Sequence, residues 1–413
     1  MSYFRINLYL PIKYFFLSFF ISKKNLIQKI NKKLELLTEK KNIILTSQLR
    51  VGFILVLKYL KQKYPKKRQI IINSYNLAEM VNICKKLDLK IIYPELNRNL
   101  FFSQNDLKKK INKNTLAVVS TNIFNTFEDS LKVKKICKEK KIPLIEDNAI
   151  YFGNFKNKNK KRIYAGSFGD YSLISFNIMK NISAMYGGAV ATNDKNFYLF
   201  ANEFLKKFGN FPYIKYIKQC LTYLILKIFS IKIIYKYTFF KCLQKAHLSK
   251  NLFILSIVYP SLKFKKQALP KFYSTKINNL SIKMIYLQLN DIKNFNKNHL
   301  AKKNNNLYYQ KIFSEEKIDG ILLLKYEDAN FQNFNDFPIV VKKKSKLVNF
   351  LFLKGIETKT IQYVDCQKIF KSAINEKSKS YEDKILCLPN HRLITKKYIE
   401  YIVTCLKDFY EKN

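Results

Sequence analysis

Leu116–Asp147, LAVVSTNIFNTFEDSLKVKKICKEKKIPLIED, decides the fold. It opens on a β-branched apolar run (LAVVST, 116–121), crosses a lysine-rich stretch, and ends in a second apolar run closed by two carboxylates (IPLIED, 142–147). Near-continuous apolar runs of this kind belong to strands buried on both faces of a parallel sheet. A helix between them makes the crossover that parallel strands require. The pattern continues outward. Upstream lie QIIIN (69–73) and KIIYP (90–94), separated by helix-like NLAEMVNICKKLD (76–88) and followed by SQNDLKKKI (103–111). Downstream, YSLISF (171–176) and GGAVAT (187–192) read as two closely spaced strands. The βαβα order predicts an α/β protein with a mostly parallel sheet, whose ligand site lies at the carboxyl ends of the strands. Asp147 ends one such strand, and Ser175 and Phe176 end another.

Composition bounds the rest. With 413 residues, 48% hydrophobic and 25% charged, the chain is globular and large enough for a sizeable core. A net charge of +47 would ordinarily point to nucleic acid or an anionic membrane. However, abundant Lys, Asn, Ile, Phe and Tyr, no Trp and only nine Gly together suggest AT-rich codons. Only Arg5, Arg50, Arg68, Arg98, Arg162 and Arg392 could supply the bidentate fork that phosphate recognition favours. The charge is therefore read as codon bias, with no nucleic-acid partner. Seven cysteines without a CxxC pair suit buried thiols in a reducing cytoplasm. His247, His299 and His391 have no metal-ligand spacing, and GxSxG, P-loop and complete GxGxxG motifs are absent.

The apolar run Tyr14–Ser22 is about half the length of a crossing helix, so a buried or surface-lying N-terminal helix is expected. Residues 212–245 place Lys215, Lys218, Lys232 and Lys236 within an arc of about 100° on a helical wheel. That stretch reads as a helical pair packed on the core or on a partner subunit; the competing reading is a basic helix on anionic lipid. From about 275 onward, ILLLKYED (321–328), FPIVVK (337–342), KLVNFLFLKGIETKTI (346–361) and a helix from about Lys396 to Tyr410 suggest a smaller α+β region. The expected organisation is an N-terminal helical segment (1–40), a large α/β domain (41–270) that includes the basic stretch at 212–265, and a small C-terminal domain (271–413).

The motifs cluster between 146 and 194. Glu146, Asp147, Ala149 and Gly153 fit E-D-x-A-Q-x-x-G, and Gly166, Gly169 and Asp170 fit G-x-x-G-D. Ser175, Phe176 and Lys180 fit S-F-x-x-x-K, and Gly187, Gly188, Thr192 and Asp194 fit G-G-x-x-x-T-x-D. Asp129 in the preceding helix and CLPNH (387–391) before the last helix add to the set. In this order they resemble the DegT/DnrJ/EryC1/StrS family of sugar aminotransferases, over about residues 40 to 410.

The resemblance implies a pyridoxal-phosphate enzyme of the fold type I architecture that aminates a nucleotide-linked keto-sugar, with glutamate as amino donor, as a cytoplasmic homodimer. Lys180 would form the imine with the cofactor aldehyde and shuttle the proton, and Asp147 would pair with the ring nitrogen. Ala149 and Ser175 would line the cofactor, Ser175 at its phosphate. Leu49 and Arg50 would present the N-terminus of SQLRVGFILVLKYLK (47–61) to that phosphate. Lysine rather than histidine at 180 implies transamination rather than dehydration. The ring-stacking residue would fall within Tyr75–Leu77. Three positions depart from the family: Leu49 and Asn125, where glycine is usual, and Ile150, where Gln or His is usual. They motivate an alternative, a catalytically weakened relative acting as a regulatory or membrane-surface-binding protein.

Overall fold

The computed structural model describes residues 3–5, 8–158, 161–251, 253–255, 268–324, 336–359, 363–370 and 382–412. Parts of three sequence readings, at 256–265, 325–328 and 360–361, lie outside them.

A seven-stranded sheet organises the N-terminal two-thirds, in the order 42–46, 188–192, 171–175, 144–147, 115–121, 69–72, 90–92. Strands pair in parallel from 90–92 through to 171–175. Gly188–Thr192 runs antiparallel to both of its neighbours. Every residue of 115–121, 144–147, 171–175 and 188–192 is buried, as near-continuous apolar runs require. Helices 49–63, 78–86 and 127–139 supply crossovers and cover the faces. Thr126 and Asp129 form a reciprocal capping box at the start of 127–139. Asp129 is thus a helix-start residue.

The C-terminal region holds a three-stranded antiparallel sheet, 321–323, 336–341 and 385–389, with helices 344–353 and 396–411. Helices 279–290 and 292–316 link it to the large sheet. The N-terminal helix Ile12–Phe20 buries Phe15 and Ser18 and leaves its other side on the surface. Residues before it are threaded into the C-terminal region: Arg5 lies 3.5 Å from Glu357 and 3.7 Å from Asp336, and His391 Nε2 is 2.8 Å from the Phe4 carbonyl. Residues 213–229 form one helix, and 232–248 a second that contains a π-turn at 235–239. Among the described residues, no helix is long and apolar enough to cross a membrane.

Candidate active site

Neighbouring residues on a strand point to opposite faces, so the adjacent carboxylates of the ED pair have different surroundings. Glu146 is fully engaged. Its Oε1 accepts from Asn122 Nδ2 (2.9 Å) and Gly166 N (3.0 Å), and its Oε2 from Phe168 N (3.1 Å) and Gly169 N (3.0 Å). It folds the 166–169 turn onto the sheet. Gly166 needs to be glycine there, having φ +99° and no room beside Ser172 Oγ. Other motif residues are scaffold as well. Asp170 Oδ2 accepts from Leu144 N (2.8 Å), and Asp194 caps helix 195–206 through Phe197 N (3.0 Å) while accepting from Tyr171 OH (2.8 Å).

Asp147 is different. It is buried at the strand end, and Oδ1 accepts from Ala149 N at 3.0 Å. Burial raises its carboxyl above the ordinary value, and that backbone bond and the charges of Lys180 and Arg50 pull the other way. Lys180 is half-buried on the loop after the next strand. Burial brings its ammonium down from 10.5 to about 8, against the opposing pull of Asp147 and with help from Lys359 and Arg50. Each of the two groups is thus within electrostatic reach of the other.

The loop is clamped on both sides of Lys180. Ser183 Oγ donates within the loop, 3.0 Å from the Lys180 carbonyl, and Ser183 N donates to Gln288 Oε1 at 3.0 Å. Asn181 Nδ2 reaches the carbonyls of Ile150 (3.3 Å) and Phe152 (3.0 Å), and its Oδ1 accepts from the fully buried Lys302 Nζ at 2.7 Å.

Helix 49–63 starts beside these residues with no side-chain cap at Gln48. Among the described residues, the buried Ser47 Oγ at the same end has no hydrogen-bond partner. Two glycines permit the close approach: a methyl group at Gly188 would lie 2.3 Å from Leu49 N, and one at Gly52 would lie 2.5 Å from Val190 Cγ2. Ser175 is paired directly opposite Gly188. Arg50 lies 3.4 Å from Tyr273 OH and 3.8 Å from Glu79. Leu49 keeps negative φ and buries its side chain in the apolar cluster of that helix, so glycine's conformational freedom is not required there. Its backbone N–H remains at the helix start.

Ile150 is buried in an apolar cluster with Tyr75, Ile123, Phe124 and Tyr363. Asn125 donates to Asn122 Oδ1 (3.0 Å) and Ser130 Oγ (2.9 Å), a use that glycine could not replace. Within Tyr75–Leu77, the Tyr75 ring meets Tyr363 at 5.8 Å and Asn76 donates to Thr121 Oγ1 at 2.8 Å, while Leu77 is half-buried. Sequence reading missed the polar groups brought from far along the chain. Lys359 pairs with buried Asp336 at 2.8 Å; burial alone would raise that carboxyl, but Lys359 and Arg5 outweigh it and hold it low. No local spacing signals these residues. Ser47 was readable from SQLR itself. A separate cavity of about 510 Å³, lined by Lys40, Lys63, Asp170 and Asp194, opens at the opposite strand ends and is not part of this site.

A lysine and a buried aspartate at the carboxyl edge of a mostly parallel α/β sheet, beside an uncapped helix start, define the class of pyridoxal-phosphate enzymes. The chain belongs to the DegT/DnrJ/EryC1/StrS aminotransferase family, whose profile matches residues 17–212 and 261–407. It is 32% identical over 126 residues to GDP-perosamine synthase of Vibrio cholerae (30% of this chain, 33% of that protein). It is 35% identical over 88 residues to UDP-4-amino-4,6-dideoxy-N-acetyl-beta-L-altrosamine transaminase of Helicobacter pylori (21% and 22%). These matches span a third or less of the relatives' length. Over its whole length, and all of the other chain, it superposes on the Helicobacter pylori aminotransferase PseC, involved in pseudoaminic acid biosynthesis, with a TM-score of 0.71 at 15% identity.

The residues present fit pyridoxal phosphate. The orphaned Ser47 hydroxyl, the uncapped helix start and the glycine-lined approach form a cradle for an anionic group. Lys180 and Asp147 would supply the amine and the carboxylate.

Proposed function

We propose that the protein is a pyridoxal-phosphate aminotransferase that converts a nucleotide-linked keto-sugar into an amino sugar with glutamate as donor, working as a homodimer. The observation that carries this reading is the placement of buried Asp147 at the end of its strand and of Lys180 on the loop after the adjoining strand, 171–175. When bound, the cofactor supplies an electron sink for the carbanion formed at the nitrogen-bearing carbon. Lys180 would hold it through Nζ, and the same amine would move the proton at the donor carbon. An amine held near 8 has a usable neutral fraction at neutral pH, which an ordinary lysine lacks. Asp147, fixed by Ala149 N, keeps a proton on the ring nitrogen. Ser175, the unpaired Ser47 hydroxyl and the N–H groups of Leu49 and Arg50 take the phosphate. The 41–270 portion carries these groups, and 271–413 contributes Lys359 and Tyr363 beside them. The substrate class rests on the GDP- and UDP-sugar relatives, and a diphosphate anion suits a chain of this charge. The catalytic reading is favoured over a weakened relative because Leu49 leaves the helix-start backbone unaltered and Ile150 sits in an apolar wall.

The test is an absorbance spectrum with pyridoxal phosphate, for wild type and Lys180→Ala. A band at about 410–430 nm that shifts on adding glutamate and is missing from the variant is the expected result. No band in the wild type would overturn the assignment. Light scattering reads the dimer.

A further inference from the structure

The family profile leaves out residues 1–16 and 213–260. These pieces are far apart in sequence and meet in space. Tyr223 OH donates to the Leu10 carbonyl at 3.0 Å, Lys227 Nζ to the Leu8 carbonyl at 2.9 Å, and the Phe15 and Tyr223 rings lie 5.3 Å apart.

Their outer surfaces are apolar. On helix 213–229, Ile214, Ile217, Leu221, Ile225 and Ile228 are all exposed, Ile214 at 71%. At 100° per residue they fall within an arc of about 80°, opposite the buried Tyr216 and Tyr223. Helix 12–20 exposes Ile12, Phe16, Phe19 and Phe20, the last at 86%. Beyond 229, Ile231, Ile233 and Tyr237 are exposed too. A monomer's water-facing surface does not ordinarily carry large apolar side chains in such continuous helical stripes.

The charge around the stripes is not explained by codon usage. AT-rich codons account for lysine, but they do not remove Asp and Glu. Residues 1–34 and 204–290 contain no acidic residue at all; at the chain-wide frequency they would hold about eight. The same stretches hold six and sixteen lysines. Lys13 and Lys218 are exposed beside the two stripes.

We propose that this face docks the protein on an anionic phospholipid bilayer: the stripes of 12–20 and 213–237 enter the headgroup boundary and the surrounding lysines meet the lipid phosphates. Apolar residues on one face with basic flanks are the design of an interfacial helix. A second copy of the chain is the poorer occupant, because two surfaces built from these lysine-rich stretches would repel one another. The docking is independent of the proposed reaction.

Flotation with the full-length protein tests it, using phosphatidylcholine vesicles with and without about 30% phosphatidylglycerol. Wild type should float with the anionic vesicles at least about tenfold better, and less as salt rises. Lys13→Gln with Lys218→Gln should lower that partition about 30-fold, at about fivefold per basic residue removed. Ile214→Ser, Leu221→Ser and Ile225→Ser together should abolish it. Both variants change exposed side chains, and unaltered circular dichroism and melting establish that they fold. Equal binding to both vesicle types, or none, overturns the proposal. So does a serine variant that turns a dimer monomeric by light scattering while wild type ignores vesicles.

Discussion

Gly188→Ala tests the geometry of the cradle most directly. The added methyl group would lie 2.3 Å from Leu49 N, 2.5 Å from Gln48 C and 2.8 Å from Leu49 Cα, all backbone atoms that no rotamer can move aside. The helix start must retreat from the strand by about 0.7 Å or more before the contact becomes tolerable. Overpacking of this kind costs about 1–3 kcal/mol of stability. Its larger effect should be on the phosphate, because displacing positioned groups by about 1 Å costs about 100-fold. Ser175, paired with Gly188, shifts at the same time. The assay is a pyridoxal-phosphate titration followed at about 410–430 nm, with glycine controls graded by what they meet. Gly52→Ala meets side chains rather than backbone, Val190 Cγ2 at 2.5 Å and Thr46 at 3.7 Å, and should weaken binding far less. Gly209→Ala has nothing within 4 Å and should be silent. If Gly188→Ala binds the cofactor within about twofold of wild type, the helix start is not the phosphate cradle and the reasoning fails.

Two further outcomes follow from displaced lysines. Lys180 lies near 8, so the rate of cofactor capture by the apoprotein should rise with pH and level off through about 8; an inflection near 10 in a stopped-flow profile would contradict the placement of its charge. Lys302, fully buried, is pushed down to about 7 chiefly by burial. Between its folded value and the ordinary one the unfolded chain binds more protons, so this lysine makes stability rise with pH above about 7 and contributes nothing further above about 10.4. Urea unfolding at pH 7 and pH 9 should therefore differ by about 2 kcal/mol more in wild type than in Lys302→Met. Equal pH slopes would refute it.

Legibility from sequence varied with chemistry. The strands at 69–72, 115–121, 144–147 and 171–175 were readable because burial on both faces leaves nearly unbroken β-branched runs. Asn42–Thr46 was not, being five residues after a lysine pair with no crossover pattern behind it, and the lysine-rich hairpin 155–158/161–164 had no apolar alternation to betray it. At the site, the motif marks Glu146 and Asp147 alike. The resemblance alone singles out Asp147, and the four donors around Glu146 give the physical reason that Glu146 is a structural carboxylate. Lys359, Asp336 and Arg5 are invisible to local patterns, since Lys359 and Asp336 meet across 23 residues and Arg5 joins them from the other end of the chain.

The threading of the first residues into the C-terminal region bears on how the protein can be handled. Arg5 is buried between Glu357 and Asp336, and the Phe4 carbonyl meets His391. Trimming residues 1–10 would take the Arg5 cation from buried Glu357 while Asp336 kept Lys359, a loss of about 3–5 kcal/mol for a broken buried pair. The C-terminal helix, with Glu411 and Lys412 exposed at its end, is the better place for fusions, and shortened forms that begin after the first helix should be recovered as aggregate.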